Sequence, residues 1–239
     1  IRPKKLQDGT QLTADSRLWS EILQSSAFQE LRLAHKEKFE EWIRSKVEAV
    51  PGDLSIERLG LDPRTGERLQ NEVDLIINCA AVVSFDAPLD EALTLNTLGP
   101  KRIVEFARLS QKIQISHVST SFVNGMAEGP IPEEPIKLDT KSNPRNLYPL
   151  NVTNEIDLIS EAISNVESKS RGFIRRSIFK FQAFSKRITN PLHTKENIKK
   201  QTEELRLKWK ETQLVNLGTS WARSKGWTDT CLLYTSPSP

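Results

Sequence analysis

The chain has 239 residues, and its 37% hydrophobic and 27% charged content sets it among soluble globular proteins with room for one sizeable core, or one core plus an appendage. No run of about 18 apolar residues occurs, so no membrane-spanning helix is expected, and Cys79 and Cys231 give neither a metal-ligand spacing nor a disulfide framework. The net charge of +3 conceals a segregation: residues 169–210 carry 13 Lys/Arg against 3 Asp/Glu, while the remainder carries 21 against 28.

The sequence opens at Ile1 rather than Met and shows no signal peptide, which points to a fragment or a processed product in a reducing, cytoplasmic compartment. Residues 14–47 have helical spacing, in which Leu18, Ile22 and Leu23 share a face, as do Phe39, Trp42 and Ile43. "VEAVPGDLS" is a short apolar run, read as a strand, ended by Pro51-Gly52. "EVDLIINCAAVVSF" (72–85) begins with a nearly continuous apolar run, the pattern of a strand buried on both faces of a parallel sheet. Residues 88–110 are helical by period, with Pro88 in the first turn and Leu93, Leu98, Ile103 and Phe106 on the apolar side. Gly99-Pro100 is expected to bend or break that helix. "KIQISHVSTSFVNG" (112–125) reads as a further strand, ending in hydroxyls and a glycine. Residues 129–150, with five prolines, read as a long loop. Residues 151–215, rich in Ser, Asn, Lys and Arg, read as a helical insertion, with Thr194 as one cap.

Alternating strand and helix predicts an α/β fold, a parallel sheet joined by right-handed crossovers and covered by helices. Ligands of such sheets bind outside the carboxyl ends of the strands. Three stretches fall there: Gly52-Asp53, Asn78-Cys79-Ala80-Ala81 and Ser119-Thr120-Ser121. Asp53 suits either hydrogen bonding to an adenine amino group or a turn. The small side chains of 78–81 suit either a flat ring or the underside of a helix. Asn96, mid-helix among apolar residues, reads as a buried asparagine that needs partners. The hydroxyls of 119–121 either polarise a substrate carbonyl or satisfy a strand end. His117 reads as a core histidine rather than a base.

Together, "IRPKK", "VPGDLSIERLGL", "VDLIINCAAVVSFDAPLDEALTLNTLGPKRIVEFAR" and "HVSTSFVNG" resemble the fatty acyl-CoA reductases, extended short-chain dehydrogenase/reductases grouped with male-sterility proteins. The resemblance covers residues 1 to 125 and resumes at "NLGTSWARSKGWTDT" (216–230). It implies an incomplete Rossmann-type, doubly wound parallel sheet with a helical insertion. The implied domains are a partial dinucleotide-binding domain at 1–150, the basic insertion at 151–215, the start of a catalytic helix at 216–230 and a non-native tail at 231–239. The implied chemistry is NADPH-dependent reduction of a long-chain acyl-CoA to an aldehyde or alcohol.

The resemblance also implies roles for individual residues. Arg2, with Lys4, meets the 2′-phosphate of NADPH. Asp53 and Leu54 form the adenine-side pair, and Asn78, Ala80 and Ala81 the cofactor floor. Asn96 supports a proton relay, and Thr120 is the active-site hydroxyl, with Ser119 in its place if the register shifts by one. No metal is implied. The family's glycine-rich pyrophosphate turn has no counterpart in these residues. Cys231 and Thr235 stand where the family has Tyr and Lys, so the chain is expected to be inactive as written. A carboxylic acid reductase terminal domain and another extended short-chain dehydrogenase are alternatives within the fold. A non-catalytic protein that binds an anionic surface through 169–210 is the alternative outside it. That basic segment also offers the reductase itself a peripheral membrane contact, while nothing points to nucleic acid.

Overall fold

The computed structural model describes residues 1–6, 9–84, 86–119, 130, 133, 151–188 and 195–224. The chain divides into two compact units, one of Ile1–Asn78 with Thr97–Ser116, the other of Cys79–Asn96 with His117–Pro239.

The first unit opens with an antiparallel hairpin of β1 (Lys4–Lys5) and β2 (Gln11–Leu12), Lys4 lying opposite Leu12. Thr13 then caps α1 (Ala14–Arg17), its Oγ1 accepting from the Ser16 N–H at 3.1 Å. The helical spacing over 14–47 is realised as several short helices. A π turn (Leu18–Ile22) follows α1, and two further helices come later, α2 (Gln29–His35) and α3 (Phe39–Arg44). Packing explains the breaks. Leu18, Leu23 and Ile43 form one core with Trp19, Ile22, Phe28, Phe39 and Trp42 against it. A straight helix would hold Leu18 and Ile43 about 37 Å apart.

Asp62 caps α4 (Pro63–Glu72), accepting from the Thr65 N–H at 3.0 Å, with Pro63 in the first turn. The chain continues through β3 (Leu75–Asn78), α5 (Leu89–Ala92), a π turn (Leu93–Thr97), α6 (Leu98–Ala107) and β4 (Gln114–His117). β3 and β4 form a small parallel sheet, and the Gln114 N–H reaches the Asp74 carbonyl at 2.8 Å. The expectation of a strand buried on both faces fails here. Leu75 and Ile77 are 50% and 64% exposed, because this sheet has only two strands among the described residues. His117 is likewise exposed at the end of β4, not a core histidine.

Gly99-Pro100 does not break its helix. The break falls just upstream, in the π turn at 93–97. Pro100 has no N–H to give to the Asn96 carbonyl, and its ring crowds that carbonyl, so a widened turn accommodates both before α6 resumes.

In the second unit, Asn151 caps α7 (Val152–Arg171), Gly172 separates it from α8 (Phe173–Ile188), and α9 (Lys195–Ser224) packs against both. Phe179, Ala183 and Leu214 are buried in this unit. Polar contacts tie α9 to α7 and to Asp90 of α5. Arg206 on α9 meets Glu203 at 2.6 Å, Glu167 at 3.1 Å and the buried Ser170 hydroxyl at 3.0 Å. Lys210 reaches Asp90 at 3.1 Å and Glu167 at 3.4 Å, and the Trp221 Nε1–H donates to Glu155 at 3.1 Å.

Candidate functional site

The corner at Gly52-Asp53 is built by chain pairing rather than by a strand end. No strand covers 47–53, contrary to the sequence expectation. The Ile1 nitrogen instead donates to the Val50 carbonyl at 2.6 Å, and the Gly52 N–H donates to the Ile1 carbonyl at 3.3 Å. Those two bonds have the slanted form of a single parallel rung. The rung sets Arg2 beside Asp53, with Nε 3.0 Å from Oδ2. The other carboxylate oxygen, Oδ1, accepts from the Ser55 N–H at 2.8 Å and the Ser55 hydroxyl at 2.7 Å, the geometry of an Asx turn. Burial raises the Asp53 pKa. The two Ser55 hydrogen bonds, with Arg2 and Arg102 nearby, outweigh that and hold the carboxyl below its ordinary value. Asp53 therefore stays ionised, and Oδ2 keeps one lone pair for a further donor.

The backbone around Asp53 is held by a left-handed turn. Arg58, Leu59 and Gly60 have φ of 54°, 60° and 64° in succession, a conformation that costs about 1 kcal/mol for each side-chain-bearing residue. The turn brings the Leu59 carbonyl onto the Asp53 N–H at 2.8 Å. It also brings Gly60 so close that a Cβ there would sit 3.1 Å from the Asp53 nitrogen. From α6, Arg102 donates to the Leu54 carbonyl at 2.9 Å and lies 3.5 Å from Glu57. Its side chain is only 12% exposed. Arg2, Asp53 and Leu54, three of the residues singled out from sequence, are thus assembled at one corner. Arg102 and the Glu57–Gly60 turn (both unnoticed in the sequence) hold it in shape. A glycine after "ERL" was the one available sign of the turn. Nothing local distinguished Arg102 from other helix-surface cations.

Lys4 goes elsewhere. Its ammonium lies 3.1 Å from Glu21, which Arg17 also engages at 2.8 Å. The structure places Lys4 in this small charge cluster with Glu21 and Arg17, not on the Arg2–Asp53 pair.

Asn78 is the last residue of β3 and is buried, 5% exposed. Ala80 and Ala81 are exposed, on irregular backbone. Asn96 lies in the π turn and is exposed, correcting the expectation that it is buried. Its carboxamide finds partners nonetheless. Oδ1 accepts from the Val82 N–H at 2.8 Å and Nδ2 donates to the Val82 carbonyl at 2.9 Å. Both polar atoms of Asn96 therefore grip the backbone next to Ala81. Ser119 is exposed two residues beyond β4. Thr120, Cys231 and Thr235 lie outside the described residues.

The family described as Male sterility protein, an NAD-binding domain, matches residues 2–231. Fatty acyl-CoA reductase 1 of Arabidopsis thaliana is 35% identical over 162 residues, covering 66% of this chain and 32% of that protein. Probable fatty acyl-CoA reductase 5 of the same plant is 33% identical over 159 residues, covering 65% and 32%. The alcohol-forming fatty acyl-CoA reductase of Simmondsia chinensis is 34% identical over 158 residues, covering 65% and 32%. The chain thus spans about a third of the length of these relatives. Among solved structures, the terminal R domain from the myxalamid PKS-NRPS biosynthetic pathway is 27% identical, with a TM-score of 0.37, covering 47% of this chain and 31% of that one.

Proposed function

The chain belongs to the male-sterility family of NAD-binding proteins, and from that premise we propose that it is a segment of an NADPH-dependent reductase of long-chain acyl-CoA thioesters. The observation that carries the reading is the family match over residues 2–231, together with curated relatives that are named fatty acyl-CoA reductases. Its sheet is read as part of a Rossmann-type, doubly wound parallel arrangement.

The exposed corner fits the adenosine end of a dinucleotide. Arg2 is 65% exposed and uses Nε on Asp53, which leaves its two Nη groups for a 2′-phosphate. Asp53 has acceptor capacity for an adenine amino group. Asn78, Ala80 and Ala81 form the floor, and Asn96 acts as a positioning residue by fixing Val82. When bound, the cofactor supplies the hydride that reduces the acyl carbon. The hydroxyl of Thr120, or of Ser119, donates a hydrogen bond to the acyl carbonyl oxygen and stabilises the charge that develops there. Cys231 stands where the resemblance puts the proton-donating tyrosine, so this 239-residue chain is proposed to hold cofactor without turning it over.

The test is a titration of the purified chain with NADPH and with NADH, followed by an assay of NADPH consumption with a long-chain acyl-CoA. Preferential NADPH binding without turnover supports the reading. Equal affinity for the two cofactors removes the assignment of Arg2, and turnover removes the assignment of Cys231. Absence of any nicotinamide binding removes the cofactor site itself.

A further inference from the structure

α8 has apolar side chains on two opposite faces. Its inner stripe, Phe179 and Ala183, is 4% and 0% exposed and belongs to the helical unit, the Phe179 ring lying 6.2 Å from that of Trp209 on α9. Its outer stripe is Phe173, Ile174, Ile178, Phe181 and Phe184, which are 85%, 74%, 39%, 73% and 49% exposed. At about 100° per residue these five fall within an arc of about 140° centred opposite Phe179. Arg176 and Lys180 flank the arc on one side and are exposed, while on the other the Arg175 guanidinium lies over the Trp209 ring of α9, 4.7 Å from its centroid. No Asp or Glu occurs anywhere in Phe173–Ile188.

The inner stripe holds the helix in place, and Phe181 and Phe184, although they also edge an open cavity with Ile198 and Thr202 of α9, remain 73% and 49% exposed. A second copy of the chain is a poor cover, because pairing two outer stripes would bring Arg176 and Lys180 of each copy against cations of the other. An anionic lipid surface answers both features. The aromatic and branched side chains enter the acyl boundary, and the flanking cations stay among the headgroup phosphates, their stems lying along the apolar layer. No helix among the described residues is long and apolar enough to cross a membrane, so the contact is one in the plane of the surface.

We propose that the outer stripe of α8 docks the chain on an anionic bilayer. This goes beyond the cofactor reading and is tested without turnover. The full chain is sedimented with phosphatidylcholine vesicles, with and without phosphatidylserine, at low and high salt. Binding to the phosphatidylserine vesicles is expected to be about tenfold tighter and to weaken as salt rises. The double substitution Ile174→Ser, Phe181→Ser should reduce binding about tenfold. Circular dichroism should report the same helix content, because both side chains are exposed. Arg176→Gln with Lys180→Gln should abolish the preference for phosphatidylserine while leaving the fold untouched. Failure to bind either vesicle, equal binding to both, or indifference to the outer-stripe substitutions would overturn the proposal. So would a dimer in sedimentation velocity that Phe181→Ser dissociates, accompanied by no lipid binding.

Discussion

Asn96 holds Val82 by both of its backbone polar groups, the carbonyl at 2.9 Å and the N–H at 2.8 Å. The carboxamide stands in for a neighbouring strand, giving one rung of pairing to a stretch that has no regular structure of its own. That stretch includes Ala80 and Ala81, the proposed floor of the cofactor site, and the proposed part of the asparagine in that site is to fix this backbone.

Removing the rung has a local signature. Asn96→Ala should lower stability by about 1 kcal/mol, and Asn96→Asp, which keeps only the acceptor atoms, should lie between it and the parent. Hydrogen exchange at the Val82 amide should accelerate in the alanine variant, with little change in α4 or α9. Unchanged exchange at Val82 would mean that the rung is not formed in solution.

The left-handed turn at Arg58–Gly60 gives two substitutions of opposite sign. Gly60→Ala places a Cβ 3.1 Å from the Asp53 nitrogen at a φ of 64°, and should cost about 1–2 kcal/mol. Arg58→Gly relieves a side-chain-bearing residue at φ 54° and should stabilise by about 0.5 kcal/mol, after allowance for the freer unfolded chain. Thermal unfolding of the two variants checks the pair. A stabilising alanine at 60 would contradict the turn.

Arg2→Ala should separate binding from stability. Its ion pair with Asp53 is largely solvent-exposed on the arginine side, so stability should change by less than about 0.5 kcal/mol. NADPH affinity should fall about tenfold with NADH affinity unchanged, measured by calorimetric titration. Equal losses for the two cofactors would show that Arg2 does not read the 2′-phosphate.

The Arg206 network sets the acid response of the helical unit. The Arg171 hydrogen bond, with Arg206 and Lys210 close by, holds the Glu167 carboxyl below its ordinary 4.5 despite the opposing effect of burial. Arg206 does the same for Glu203. A carboxyl with a depressed folded pKa binds fewer protons folded than unfolded, so its contribution is present above about 4.5 and is lost as the pH falls below it. Urea midpoints across that window should drop with acid, and the drop should flatten in Glu167→Gln. Arg206→Ala leaves Glu167, Glu203 and the buried Ser170 hydroxyl short of a donor, and should cost about 2 kcal/mol at neutral pH.

Much of the secondary structure was legible because it follows periodicity. The spacing grouped Leu18, Ile22 and Leu23, and likewise Phe39, Trp42 and Ile43, and the structure brings both sets to one core. What periodicity does not encode was missed. The same six residues fit one long helix or several short ones, and only packing chooses. "LIIN" reads as doubly buried because a parallel strand normally has neighbours on both edges, whereas here Leu75 and Ile77 remain exposed. At the candidate site, Arg2, Asp53 and Leu54 were visible through resemblance, but Arg102 was not. Its role depends on a carbonyl 48 residues away in the chain, a distance no local pattern spans. Asn96 was noticed for the wrong reason, since an amide that grips a backbone needs partners whether or not it is buried.

The widened turn at Leu93–Thr97 has a consequence for how this sequence can vary. Such a turn contains one residue more than an ordinary helical turn, so shortening the chain there by one residue would let regular winding pass straight from α5 into α6. The Asn96 side chain would then swing by about 100° about the helix axis. The asparagine would point away from its valine. Length in this short segment is therefore constrained more tightly than residue identity, and indels should be scarcer here than substitutions.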